Sequence, residues 1–201
     1  MADNYLLQAA QAKARFLTYS QEAIIQKLSL QADKDSLYIP MLSRLYRVNR
    51  VSGDVEKQVQ GLWADGNSHA EVMTLLDLLC DSKPSRHLSG HLKSMADFGL
   101  MFHQSLLEYA KDPWAQLFQD NLEQFHKACR ALNGQQLALG DAAYAIELFD
   151  GLSIVIQLWL GDEEFPPNLR FLWDENALDY IRYETMYFAK GMLLERIREE
   201  M

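Results

Sequence analysis

The chain has 201 residues, of which 49% are hydrophobic and 23% charged, so it is long enough to bury a core and lacks the composition of a disordered segment. Its formal charge of −9 argues against nucleic acid or an anionic membrane as the main partner, because both are bound through clustered Lys and Arg. No apolar run approaches the length of a bilayer span, the N-terminus lacks the pattern of a secretory signal, and two cysteines cannot build a disulfide framework. We therefore expect a cytoplasmic protein.

The N-terminal part of the chain, about residues 1–60, predicts two helices followed by a small antiparallel meander. Apolar residues recur at three- to four-residue spacing over 4–17, and Ser20 is placed to cap a second, short helix. From Leu28 onward the apolar residues alternate with polar ones and are interrupted by turn residues, which is typical of strands. Pro40 has no N–H for a central ladder, so we expect its strand to lie at an edge or to be interrupted there.

The middle of the chain, about residues 68–133, predicts helices around one long loop. Ser68 and Glu71 form a capping box, and the helix that they begin should end before Pro84. Residues 84–100 are rich in Pro, Gly and Ser and predict a loop of a length that is often functional or mobile. Further helices are predicted over about 101–110, 113–118 and 120–133.

The C-terminal part, about residues 141–201, predicts a β-hairpin, a third strand and a final helix. Asp150-Gly151 separates two apolar runs, 143–149 and 152–160, and favours the tight primed turn of a hairpin. The segment "LRFLW" is the expected third strand, and the closing helix should begin near Ala177 or Arg182 and end near Arg198.

The run Val155–Leu160 is too continuously apolar for a surface strand, so it should lie in the middle of the sheet. The segment "GDEEFPP" follows it, and Pro166 and Pro167 cannot continue a ladder. The sequence therefore predicts a rigid corner at which the strand leaves the core, with three adjacent carboxylates on it.

These elements predict a single α+β domain over residues 1–201. In it, one antiparallel sheet is assembled from the N-terminal meander, the C-terminal hairpin and the third strand, and helices cover the sheet.

The acidic residues near the corner are the first candidate site, because converging carboxylates can hold a hard cation or act as general acid and base. Its members are Asp162, Glu163, Glu164 and Glu184. The alternative interpretation is structural: Asp162 bonds the corner's own amides, and Asp174 caps the helix that follows it.

No metal centre is expected, although one weak set of possible ligands stands out. A His-x3-His spacing can place two imidazoles on one face of a helix, and a thiolate upstream could add a ligand for zinc. The residues concerned are Cys80, His87, His91 and His103. The alternative is that the two spaced histidines are loop residues and that the cysteine is a core thiol at a helix end.

Aromatic residues in the C-terminal part form a third candidate, a pocket for a flat ligand. They are Trp159, Trp173, Tyr183 and Tyr187. Large side chains are equally needed to pack helices on a sheet, so the alternative is that they belong to the core. The residues identify no particular cofactor.

The densest stretch of these features resembles a known family. Between 125 and 187 the segments "NG…GDAAYAIELF", "LWLGDEEFPP", "LWDENALDYI" and "YET" follow in the order of the domain-of-unknown-function family 3786, and "LYRVNRVSGDVE" lies upstream. The resemblance implies a small protein of anaerobic bacteria or archaea that works in anaerobic metabolism. It implies no activity, and it assigns a role to none of the residues.

Two classes of function remain open. The first is a non-enzymatic binding or accessory protein with a protein partner or a small ligand, which should expose a broad apolar patch. The alternative is an enzyme with a carboxylate-based or metal-assisted site near Asp162–Glu164, which should gather ionisable groups with displaced pKa values in one cleft. The oligomeric state is left open.

Overall fold

The computed structural model describes residues 2–65, 67–99 and 112–201, with side chains from Tyr5 onward. The chain groups into two compact units, Met1–His87 with Leu178–Met192 and Leu88–Ala177 with Leu193–Met201. Helices and antiparallel strands occur in both units, which confirms the α+β class. That all 201 residues form a single domain stays a prediction, and the predicted helix over 101–110 lies outside the described residues.

The first unit consists of three helices, a five-stranded meander and the first turns of the last helix. Its elements are α1 (Ala2–Leu17), α2 (Gln21–Leu28), β1 (Gln31–Ala32), β2 (Ser36–Met41), β3 (Arg44–Asn49), β4 (Val55–Val59), β5 (Leu62–Ala64), α3 (His69–Asp81) and the beginning of α6 (Tyr183–Glu200). The strands follow one another in the sheet in chain order, each antiparallel to the next, as the sequence predicted.

Local signals set the boundaries of these elements. The Ser20 side chain accepts a hydrogen bond from the amide of Ala23 and caps α2, and the capping box of Ser68 and Glu71 begins α3. Pro40 is paired with Leu45 on one side of its strand, whereas β1 reaches only Leu37 and Tyr38 on the other. The missing N–H of the proline therefore leaves no gap in the ladder.

Glu71 joins α3 to the sheet. Its side chain is only 7% exposed and accepts hydrogen bonds from the Tyr46 hydroxyl (3.0 Å), the Lys57 ammonium (3.1 Å) and the Ser68 amide (2.7 Å). One buried carboxylate thus satisfies a helix end and two strand side chains, which is the condition under which a buried charge is tolerated.

The second unit contains another five-stranded antiparallel sheet. Its elements are β6 (Leu92–Ser94), a 3-10 turn (Met95–Phe98), α4 (Pro113–Asp120), α5 (Leu122–Ala131), β7 (Gln135–Leu137), β8 (Ala142–Phe149), β9 (Leu152–Trp159), β10 (Asn168–Asp174) and the end of α6. The strand order is β6-β10-β9-β8-β7, so the apolar strand β9 is central, as predicted.

The hairpin between β8 and β9 has the predicted turn. Asp150 and Gly151 both have positive φ, 50° and 81°, as a type I′ turn requires. The face of β9 that carries Ile154, Ile156 and Leu158 is fully buried. Phe118 and Phe125 belong to the same core, their rings 4.9 Å apart, and Phe125 meets the ring of Tyr144 on β8 edge to face.

Two predictions, one about the sheet and one about the loop over residues 84–100, are wrong. The N-terminal meander and the C-terminal strands form two separate sheets, not one. Residues 84–100 are not all loop, because Leu92–Ser94 pairs with the end of β10 and a 3-10 turn follows it. A three-residue edge strand has too short an alternation for sequence periodicity to detect.

No helix in the described part of the chain is long and apolar enough to cross a membrane.

Replacing Glu71 tests the link between α3 and the first sheet. We expect Glu71→Ala to lower the free energy of unfolding by about 3 kcal/mol, because it removes the partner of a buried ammonium, a buried hydroxyl and a helix-end amide. Urea denaturation followed by circular dichroism measures the change. Glu184→Ala, an exposed acid of the same unit, is the control and should shift the value by less than about 0.5 kcal/mol. Equal losses in the two variants would contradict this role of Glu71.

Candidate functional site

The corner after β9 is a turn closed by its own first acid. The Asp162 amide donates to the carbonyl of Phe165 (2.9 Å), and the Asp162 carboxylate accepts the amides of Glu164 and Phe165, both at 2.8 Å. The Phe165 and Glu164 amides hold the pKa of Asp162 below its usual range, because they stabilise the ionised form. Asp162 therefore binds the corner's own amides, as the structural interpretation of the sequence predicted.

Close contacts on both sides fix the position of this turn. The amide of Gly161 donates to the side-chain oxygen of Gln119 on α4 at 2.5 Å. A Cβ atom on Gly161 would lie 2.6 Å from the nitrogen of Pro167, so only glycine fits without a shift of the backbone. The corner is thus preorganised.

The turn between β7 and β8 lies against the same end of the sheet. The amide of Asp141 donates to the carbonyl of Leu158 (3.1 Å), and the amide of Leu160 donates to the Asp141 carboxylate (2.8 Å). These bonds bring Leu139, which precedes Asp141 in that turn, to the end of β9.

Exposed apolar and acidic side chains meet at this end of the second sheet. Phe165 is 66% and Trp159 47% exposed, and Leu139 and Leu160 are also exposed. Asp162, Glu163 and Glu164 are exposed as well and lie between Leu160 and Phe165 in the sequence. We call this set the acidic–aromatic corner: Leu139, Trp159, Leu160, Asp162, Glu163, Glu164 and Phe165.

The fourth predicted acid does not belong to the corner's unit. Glu184 is exposed in the first turn of α6, in the first unit, whereas Asp162, Glu163 and Glu164 belong to the second. In the second unit the sequence patterns do not identify Phe165 and Leu139, because both lie in turns, where no periodicity marks an apolar residue as core or surface.

Asp174 ends β10 at the opposite end of the strand from the corner. Its carboxylate accepts the amides of Ser89 (3.0 Å), Gly90 (2.8 Å) and Asn176 (2.8 Å) and the hydroxyl of Ser89 (3.2 Å). Burial opposes its ionisation, but the amides outweigh burial and lower the pKa of Asp174. Asp174 therefore anchors both the segment before β6 and the turn that follows β10.

The weak metal candidates in the described part of the chain have different surroundings. Cys80 is buried in the last turn of α3, and burial raises the pKa of its thiol to about 11, which disfavours a thiolate ligand. His87 and His91 are exposed in irregular chain, and the imidazole of His91 lies 3.6 Å from Glu175. Across the described ranges no three His, Cys, Asp or Glu side chains form a group that could hold a metal ion, and His103 lies outside those ranges.

The aromatic candidates belong to different units, two to each. Trp159 pairs with Asn168 and Trp173 with Ile154, so the two tryptophans point to opposite faces of the second sheet and lie at opposite ends of it. Trp173 is fully buried. Tyr183 and Tyr187 lie together on α6 in the first unit, their hydroxyls 3.3 Å apart, and burial raises the pKa of Tyr187 to about 12.

One family model matches most of the chain. The family is described as Domain of unknown function (DUF3786), and the match covers residues 20–196. No curated protein and no solved structure matches the chain.

Gly161→Ala tests whether the corner depends on the close approach of Pro167. We expect it to lower the free energy of unfolding by about 2 kcal/mol, because the new methyl group overlaps backbone atoms. Gly191→Ala is the control, since a methyl group there meets nothing within 4 Å and alanine favours the helix by up to about 1 kcal/mol. Thermal unfolding compares the two, and an unchanged melting temperature in Gly161→Ala would show that the corner is pliable.

Asp174→Ala tests the anchor at the other end of β10. We expect a loss of about 2 kcal/mol near neutral pH, because a carboxylate with four hydrogen bonds is removed. The pKa of Asp174 is lower in the folded than in the unfolded chain, so its contribution is present above about pH 4 and disappears as the pH falls through the folded pKa. Urea unfolding at pH 7 and pH 3 should therefore show a smaller difference from wild type at pH 3.

A second acid of the same unit controls the pH experiment. Glu123→Gln removes an exposed carboxylate on α5 and should leave the stability within about 0.5 kcal/mol of wild type at both pH values. A loss in Asp174→Ala that is as large at pH 3 as at pH 7 would contradict the role of the charge.

Proposed function

We propose that this chain, which belongs to the family described as Domain of unknown function (DUF3786), is a non-enzymatic binding protein whose acidic–aromatic corner docks a partner protein. The proposal includes a cytoplasmic location, which the sequence led us to expect, and a setting in anaerobic metabolism, which the family resemblance implies.

The observation that carries it is the exposure of two aromatic rings at one end of the second sheet, Trp159 at the end of β9 and Phe165 on the rigid turn that follows it. Isolated exposed apolar residues are normal on a protein surface, but Trp159, Phe165 and two leucines share one end of the sheet. Aromatic anchors of this kind dominate the binding energy of protein interfaces. The turn is already held by Asp162, Gly161 and Gln119, so little conformational entropy remains to be lost on binding.

The charge of the corner determines the chemistry of the partner. Three consecutive carboxylates, Asp162, Glu163 and Glu164, lie between the apolar side chains, and the whole chain carries a formal charge of −9. A complementary surface has an apolar cleft for Phe165 and Trp159 with Lys or Arg around its rim. Such charges direct the encounter and reject acidic competitors.

The alternative function, an enzyme with a carboxylate site at the corner, uses the same residues in another way. A general acid or metal ligand needs a carboxylate that is free to change its partner. The amides of Glu164 and Phe165 already occupy one oxygen of Asp162, which favours the binding role for this residue. Glu163 and Glu164 would have to carry the chemistry.

Differential capture and reconstitution test the docking proposal. Wild type and Phe165→Ala, each immobilised, are exposed to a lysate of anaerobically grown cells of the source organism, and a protein retained only by wild type is purified. The affinity for the purified partner is measured by calorimetry. Relative to wild type, it should fall at least about tenfold in Phe165→Ala, and also at least about tenfold in the separate double variant Glu163→Lys/Glu164→Lys. The loss in the double variant should shrink when the partner's basic residues are replaced by acidic ones.

Two control variants make the same kinds of substitution at exposed residues outside the corner. Leu62→Ala removes an apolar side chain that is 74% exposed in the first unit, and Glu123→Lys reverses an exposed charge on α5. Neither should change the affinity by more than about twofold. If no protein distinguishes wild type from Phe165→Ala, or if the purified partner binds the corner variants and wild type equally, the proposal is wrong.

A further inference from the structure

The first unit contains a polar cavity that has no part in the corner. Its volume is about 410 Å³, within the usual range of small-molecule sites. It is lined by Lys13 of α1, by the turn between β3 and β4, and by Asp65 and Asn67, which follow β5 in the chain. The lining residues are Lys13, Asn49, Ser52, Asp54, Val55, Glu56, Asp65, Asn67 and Val72.

Two of the three carboxylates of the cavity are already neutralised by protein groups. Asp54 accepts the Lys13 ammonium at 2.7 Å and the Ser52 hydroxyl at 2.6 Å. Glu56 accepts the Arg47 guanidinium through both oxygens, at 2.6 and 2.9 Å, and that guanidinium lies over the ring of Trp63. These pairs hold the walls of the cavity in place.

Two acceptors of the cavity, on Asp65 and Asn67, are unmatched, whereas the Asn49 side-chain oxygen accepts the amides of Val51 and Ser52. Asp65 is exposed and has neither an ion pair nor a hydrogen bond with any residue that the structure describes. The amide nitrogen of Asn67 donates to the carbonyl of Val55 at 2.5 Å, whereas its side-chain oxygen is buried without a hydrogen bond. A buried acceptor without a donor is unfavourable, so a ligand that supplies donors here gains more than one on open surface.

We propose that this cavity binds a small organic cation, an amine or guanidinium compound with further hydrogen-bond donors, and that Asp65 pairs with its positive charge. The site goes beyond the docking function, since its residues belong to the first unit and the corner belongs to the second. A bare metal ion fits less well, because the volume exceeds that of one ion and the carboxylates of the described chain do not converge as metal ligands.

Titration with matched probes tests the proposal. Ethanolamine and its neutral isostere ethylene glycol, together with agmatine, are added to the full chain while amide shifts are followed by NMR. We expect saturable shifts at the lining residues with both cations and none with ethylene glycol. Asp65→Asn, which keeps the shape of the side chain, should weaken binding at least about tenfold. Asp35→Asn, an exposed acid of the β1–β2 turn, should leave binding unchanged.

Three results of the titration would overturn the proposal of a cation site. Failure of both cations to saturate up to about 10 mM would overturn the proposal. Equal affinity in wild type and Asp65→Asn would also overturn it, as would saturation by magnesium or calcium alone that Asp65→Asn abolishes. The corner variant Phe165→Ala should bind the probes like wild type, so failure of the docking proposal and failure of this one are distinguishable.

Discussion

The burial of β9 between β8 and β10 is the constraint on which the second unit depends. One face of the strand carries a row of fully buried aliphatic side chains, each of which stabilises the fold by about 1.5–3 kcal/mol when removed from water. Because side chains alternate along a strand, a slip of one residue would move this whole row to the opposite face, where Val155 and Gln157 are now buried. The register of β9 then determines where its neighbours end, and with them the positions of Asp174 and of the acidic–aromatic corner.

Sequence patterns that act over a few residues predicted the structure well. The capping residues Ser20 and Ser68 begin α2 and α3, and Asp150-Gly151 makes the expected turn. Each signal works because one side chain, or one glycine, decides the conformation of its own neighbours. The central position of β9 could also be predicted, since only a strand buried on both sides tolerates so continuous an apolar run.

Long-range pairings could not be predicted in the same way. The sequences of the meander and of the hairpin do not indicate whether their strands share a sheet. Each strand can pair with its neighbour in the chain whether or not the two groups of strands are joined. The separation of Trp159 from Trp173 has a similar origin. It depends on the register of β10 against β9, and a shift of that register by one residue would reverse the face of Trp173.

Two of the acidic residues singled out from the sequence have structural roles. Asp162 lies in the turn between β9 and β10 and Asp174 ends β10, and both carboxylates accept backbone amides where the chain turns away from the sheet. An acid beside prolines or at a strand end is therefore first a turn residue. The information about binding comes from groups whose chemistry the fold leaves unsatisfied: the exposed ring of Phe165 on a fixed turn, and the acceptors of Asp65 and Asn67 in a polar cavity. A composition count weighs all carboxylates equally, and only the placement of their partners separates the structural acids from those available to a ligand.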